Sequence, residues 1–219
     1  MLPNAVKIEL DAVISLLIKH GFADSYNFTS VRNVQGGEIA VEYDGKEDIS
    51  IALKDMPYSD SYTELLRRSQ YNLKLLDGAI LQIMYRFDNA GRLLKHRLCF
   101  LPSPFNDEFQ NEPEVYLDDV IYAEVVDRRI LPVAIRFDFD PGNAVDIHHP
   151  HSHFTMGQYK NCRSPVVSPL SPSAFVEFIL RSFYNTAFVD TANLFDLALS
   201  KFEETITPAE RNRLHLSIS

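Results

Sequence analysis

Two short stretches of this chain alternate polar and apolar side chains with the same period of two, and they limit its fold more than any other feature. In 135–140, Arg136, Asp138 and Asp140 fall on one side, and Ile135, Phe137 and Phe139 on the other. In 151–156, His151, His153 and Thr155 share one side, while Phe154 and Met156 share the opposite one. Successive side chains point to opposite faces only in an extended strand. If the two stretches are neighbouring strands, both apolar faces enter one core. Arg136, Asp138, His151 and His153 then converge on the opposite surface.

The rest of the chain supplies partners for such a pair. Val6, Leu10, Val13, Ile14 and Leu17 recur at helical spacing, with Asn4 as the expected N-cap and Gly21 as the stop. Strand-like runs follow at 26–32, 38–43 and 49–53, separated by Gly36-Gly37 and Asp44-Gly45. Ser61 and Glu64 have capping-box spacing and predict a second helix, its apolar face running through Leu65, Leu66 and Leu73 to a stop at Asp77-Gly78. Strands at 79–87 and 93–101 form an expected hairpin across Asp88-Asn89-Ala90-Gly91. Residues 102–114 read as a loop, 115–126 fits either helix or strand, and 131–140 and 154–157 read as strands. A helix is expected after Ser171 as N-cap and Pro172 at its first position, with Phe175, Phe178, Ile179 and Phe183 on one face. Further helices are expected over 191–203 and from a capping box of Thr207 and Glu210. Helices at both ends and strands between them predict an α+β fold: a central, mainly antiparallel sheet packed against N-terminal and C-terminal helices. No linker or repeat interrupts residues 1–219, so one domain is expected.

Composition narrows the function classes. A hydrophobic content of 46% in 219 residues can fill a real core. The formal charge of −9 opposes broad, non-specific coating of nucleic acid, which needs many cations on phosphates, but it leaves room for a small basic site. No apolar run is long enough to span a membrane, and the N-terminus lacks the regions of a secretion signal. Cys99 and Cys162 make neither a disulfide framework nor a CxxC pair. A cytoplasmic protein is expected.

Chemistry concentrates at 148–153, where four of the seven histidines lie. Imidazole exchanges protons near neutral pH and is the commonest metal ligand. Along a flat strand, positions four apart sit ~13 Å from each other, so His149 and His153 cannot share a metal unless Pro150 bends the chain. His151 and His153 can share one, completed by Asp138, Asp140 or Asp146. Without a divalent metal, His153 can act as general base, an aspartate can orient it, and Arg136 or Arg163 can hold a phosphate. The plainer alternative is a polar surface loop beside a structural Asp138–arginine pair. Asp140, before Pro141-Gly142-Asn143, reads as a turn former, and Cys162 as a small packed residue. His20, His96 and His215 stand alone and receive no role. The segment 85–89 echoes Arg136-Phe137-Asp138 and reads as a strand entering a turn.

Two family resemblances bear on these residues. His149-x-His151-x-His153-Phe154-Thr155 resembles the histidine-triad nucleotide hydrolases and transferases, although Pro150 and Ser152 stand where that pattern has hydrophobic residues. The run Arg136-Phe137-Asp138-Phe139-Asp140-Pro141, then His149-Pro150-x-Ser152-His153-Phe154-Thr155-Met156-Gly157-Gln158-Tyr159-Lys160-Asn161-Cys162-Arg163-x-Pro165, is similar to an uncharacterised bacterial family of unknown function. The helix around 175–184 fits it too. That resemblance implies His149 and His153 as the motif histidines, with His148 and His151 incidental. It also implies a bacterial protein, encoded among mobile or defence-associated genes. The expected function is a phosphodiester hydrolase directed at RNA or nucleotide, with His149, His153, Asp138, Arg136 and Arg163 as its site, in a defence or toxin–antitoxin setting. The alternative is a non-enzymatic accessory or antitoxin-like subunit that binds a protein partner encoded nearby. A phosphate or nucleotide sensor is a narrower option.

Overall fold

The computed structural model describes residues 1–34, 36–45, 56–105, 133–157, 159, 161–191 and 201–218. The expected strands at 49–53 and helix or strand at 115–126 lie outside the described residues, as do 106–114 of the expected loop.

The first helix, α1 (Pro3–Lys19), buries Val6, Leu10, Val13, Ile14 and Leu17, the face that its spacing predicts. Its cap is not Asn4. Pro3, which has no N–H to satisfy, starts the helix and Leu2 stands at the N-cap. Three strands follow, β1 (Ala23–Tyr26), β2 (Thr29–Val34) and β3 (Glu38–Tyr43). The helix α2 (Tyr58–Arg67) starts one turn before the capping-box reading, with Pro57 at its N-cap. Ser61 therefore lies inside it, buried. The helix stops at Arg68, Ser69 takes a positive φ of 52°, and Leu73 belongs to the short strand β4 (Leu73–Leu75) instead.

The strands β5 (Ile80–Phe87) and β6 (Leu93–Leu101) form the expected hairpin. Asp88 Oδ1 accepts the N–H groups of Ala90 and Arg92, and Gly91 turns the chain at φ 78°. The echo segment is thus a strand running into a turn. Then come β7 (Ile135–Phe139), β8 (Ser152–Met156) and β9 (Ser164–Pro165). The described strands form one antiparallel sheet in the order β1-β4-β5-β6-β7-β8-β9, and the β2–β3 hairpin joins the far half of β5. The α+β fold with N-terminal and C-terminal helices is as expected.

The alternating pair is where the patterning places it. β7 and β8 are antiparallel neighbours with Arg136 opposite Thr155, Phe137 opposite Phe154 and Asp138 opposite His153. A one-residue slip would turn every one of these side chains over, so burial of one face fixes the register. Phe137 and Phe154 pack against Phe178 of α3 (Pro172–Phe183). Ser171 Oγ caps α3 by accepting from Ala174 N–H, and Pro172 opens it, as predicted. Glu9 of α1 accepts from Ser173 N–H, which locks the two helices together over the core. Met156 departs from the pattern: at the strand's end it lies exposed. On the sheet's other face, Tyr62 and Leu65 of α2 cover Ile80, Cys99, Leu101 and Ala134 at one end.

The C-terminal region differs most from expectation. α4 (Asn185–Thr191) ends where a helix over 191–203 was predicted to begin, 192–200 lie outside the described residues, and 201–203 are not helical. α5 (Pro208–Arg211) has the expected capping box. The segment around it is laced to the sheet edge, where Leu216 N–H donates to Pro165 and Thr205 N–H to Val167. No described helix is long and apolar enough to cross a membrane.

Candidate functional site

Residues opposite one another on an antiparallel ladder share a face, and the register turns the open face of this sheet into a grid. One row runs Met84, Arg97, Asp138, His153 and Pro165 across β5 to β9. A second, Gln82, Cys99, Arg136 and Thr155, lies toward α2. A third, Arg32, Ala40, Arg86 and Lys95, lies on the other side.

Asp138 is the centre of this grid. It is buried, yet Oδ1 accepts from Arg97 Nε at 3.0 Å and Oδ2 accepts from Arg136 Nε. Burial would raise its pKa, but Arg136, Arg97 and His153 outweigh burial and hold the carboxyl below the usual carboxylate range. Asp138 is therefore a fixed anion. Each arginine spends its Nε on the carboxylate and keeps its two terminal nitrogens for other partners.

His153 lies beside this anion, 2% exposed. Its Nδ1 is 2.9 Å from the carbonyl oxygen of Pro150, and a carbonyl can only accept, so Nδ1 carries the proton. Its Nε2 is 3.7 Å from Asp138 Oδ2, too long for a hydrogen bond. Burial pushes the His153 pKa down. Asp138 and the Pro150 carbonyl oppose the shift, while His149 and Arg163 reinforce it. The ring is thus neutral at neutral pH, with the Nε2 lone pair turned toward the carboxylate.

Pro150 does bend the chain. Val145 and His149 exchange both backbone N–H···O bonds, at 2.9 and 2.7 Å, and Ile147 between them takes φ 69°. This tight loop is fastened to α5: Glu210 Oε1 accepts from Ile147 N–H, and Thr207 Oγ1 donates to Asp146 Oδ1 at 2.5 Å. The bend brings the His149 ring within 4.7 Å of the His153 ring, centroid to centroid, and leaves His149 Nδ1 without a hydrogen-bond partner.

Of the expected residues, Asp138, Arg136, His153 and His149 come together. Arg163 does not reach Asp138; it donates to Asn161 Oδ1 and acts on His153 only through its charge. His151 contributes its carbonyl to Asp140 N–H, and no hydrogen bond of its ring joins the cluster. Asp140 is tied to Lys95 and Asn143 at the turn, the role expected of it. Among the described residues no three His, Cys, Asp or Glu side chains gather as metal donors, so the His149, His151, His153 and Asp138 ligand set is not assembled. Cys99 is buried, its thiol pushed up to about 11, chiefly by burial.

Two residues of this face, Arg97 and Glu42, went unnoticed in the sequence, and His96, given no role there, belongs to the core. Arg97 is the second clamp on Asp138, and its signal was available: Lys95, Arg97 and Cys99 alternate with His96, Leu98 and Phe100 along β6. His96 is buried on the core face, where Nε2 accepts from Leu170 N–H and burial takes its pKa down to about 4. Glu42, also buried, pairs with Arg32 at 2.6 Å and Arg86 at 2.8 Å.

The chain belongs to the family described as an uncharacterized conserved protein, DUF2290, whose model matches residues 22–218. No curated protein and no solved structure matches it.

Proposed function

We propose that this DUF2290 protein is a binding component that seats a phosphate group of RNA or a nucleotide on the Arg97–Arg136 pair. One observation carries the reading: a single buried carboxylate holds both guanidinium groups by their Nε atoms. Arginines fixed in this way lose little freedom when a ligand arrives, and their remaining N–H groups match phosphate oxygens. The same geometry argues against His153 as a general base. One of its nitrogens is spent on Pro150, and the other faces a carboxylate instead of open space. Such a component would present its ligand to a protein encoded nearby, in a bacterial defence or toxin–antitoxin setting.

The test is binding of uridine monophosphate, read as thermal stabilisation and by calorimetry. Wild type is expected to bind without turning over a generic phosphodiester, and Arg136→Gln and Arg97→Gln to lose binding while still folding. Absence of nucleotide binding in the wild type refutes the reading.

A hydrolase remains the second reading, and it rests on His149. Its unpartnered Nδ1 lies beside the His153 ring, where a relayed proton could pass. Cleavage of RNA by wild type, lost in His153→Ala, would support it; equal activity in both would remove it.

A further inference from the structure

The open face of the sheet holds a second carboxylate clamped like the first. Glu42 on β3 accepts from Arg32 of β2 and Arg86 of β5. Between the two clamps stands Lys95, in the same row as Arg32 and Arg86 and 3.4 Å from Asp140. The charges are layered. The side chains of Glu42 and Asp138 are 1% and 5% exposed, whereas those of Arg32, Arg86, Arg97 and Arg136 are 40%, 23%, 44% and 30% exposed, and that of Lys95 is 45%. Glu42 and Asp138 lie beneath the arginines, and the half-buried Asp140 stands beside Lys95. A ligand approaching this face meets a line of positive groups on a chain whose formal charge is −9.

The line has a length. From β2 through β3, β5 and β6 to β7 there are four inter-strand steps, on the order of 19 Å at ~4.8 Å each. One phosphate occupies only an end of it, whereas a strand of about four nucleotides, the lower end of single-strand site sizes, would fill it.

We infer that this face is the path of a single-stranded nucleic acid, whose backbone runs from Arg136 and Arg97 past Lys95 to Arg86 and Arg32. The inference rests on the phosphate-binding reading above and adds the polymer to it. The clamped carboxylates position the arginines; Lys95 and the far clamp set the length of strand held.

The test compares uridine monophosphate, an eight-residue oligouridylate, the matching deoxyoligomer and polyglutamate on wild type and on Arg32→Gln/Lys95→Gln. In wild type the octamer, ribo or deoxy, binds more tightly than the mononucleotide or polyglutamate. In the double variant the octamer weakens, and the slope of log affinity against log salt falls by about 1.4, at ~0.7 per lost phosphate contact in a single strand. Mononucleotide binding is unchanged. Lys95→Gln alone, at an exposed position, expects half that change of slope and serves if the double variant unfolds. If the octamer binds no tighter than the mononucleotide, or the slope does not move, the path is overturned while the phosphate site stands. Equal binding of polyglutamate overturns the nucleic-acid assignment. If the mononucleotide does not bind either, both readings fall together.

Discussion

Glu42 and Asp138 solve the same problem on the same face, and Asp138 does so with an imidazole beside it. A buried carboxylate left unpaired costs several kcal/mol, so each recruits two arginines from adjoining strands. Asp138 also has His153 at 3.7 Å; among the described residues no imidazole stands beside Glu42. The Asp138 clamp includes a group that can change its own charge, so its response to perturbation should depend on pH.

The largest effect comes from stripping each clamp of its arginines. Arg97→Gln/Arg136→Gln and Arg32→Gln/Arg86→Gln should each lose about 3–5 kcal/mol of stability at pH 7.5, because each takes both arginines from a buried carboxylate. The two should part as pH falls to 6. Without its arginines, Asp138 favours the protonated His153, which raises the folded pKa of that ring. A raised folded pKa gives stability that is present below the unfolded value and lost above it. The Asp138 variant should therefore recover part of its loss between pH 7.5 and 6, and the Glu42 variant should not. Urea unfolding at the two pH values measures this, and parallel behaviour of both variants would erase the distinction between the clamps.

The next effect concerns the unmodified protein. His96 and His153 are both held neutral by burial, with folded pKa values below the usual 6.5, that of His96 at about 4. A depressed histidine contributes stability that is full above the unfolded pKa and is lost as pH falls toward the folded one. Between pH 6.5 and 4 the protein should lose about 3 kcal/mol through His96, with a further loss through His153. His96→Gln keeps an acceptor for Leu170 N–H and should flatten part of this limb. An unchanged pH profile in that variant would place the acid sensitivity elsewhere.

Period-two patterning made β7 and β8 readable as neighbours with a shared buried face, because only an extended pair can put Phe137 and Phe154 in one core. The helix at Ser171 was readable because its cap is local. What stayed hidden was whatever depended on distant strands. Arg97 lies 41 positions from Asp138 in the chain, and nothing in its own strand says which carboxylate it meets. Glu42 looks like an ordinary strand-face residue until Arg32 and Arg86 are placed on either side of it. The His149–His153 pair was half legible, since Pro150 signals a bend without giving its direction. Helix starts at Pro3 and Pro57 were misread because neither has a side-chain cap: Pro3 opens the first helix, and Pro57 itself is the N-cap of the second.

The smallest effect tests what aims His149. The loop at 145–149 is tied to α5 through Thr207, whose hydroxyl both caps that helix and donates to Asp146. Thr207→Ala should cost about 1 kcal/mol, the usual loss for an N-cap. Its more telling consequence is local. Releasing Asp146 lets the loop turn, so the ring resonances of His149 should move in NMR spectra, and those of His153 less, since Pro150 still holds its Nδ1. His96, across the sheet, should stay where it is. Nucleotide binding should survive, because Arg97 and Arg136 are oriented by Asp138 and not by this loop. If binding is lost instead, the helix tie at Thr207 acts on the arginine pair, and His149 belongs to the binding site rather than to its rim.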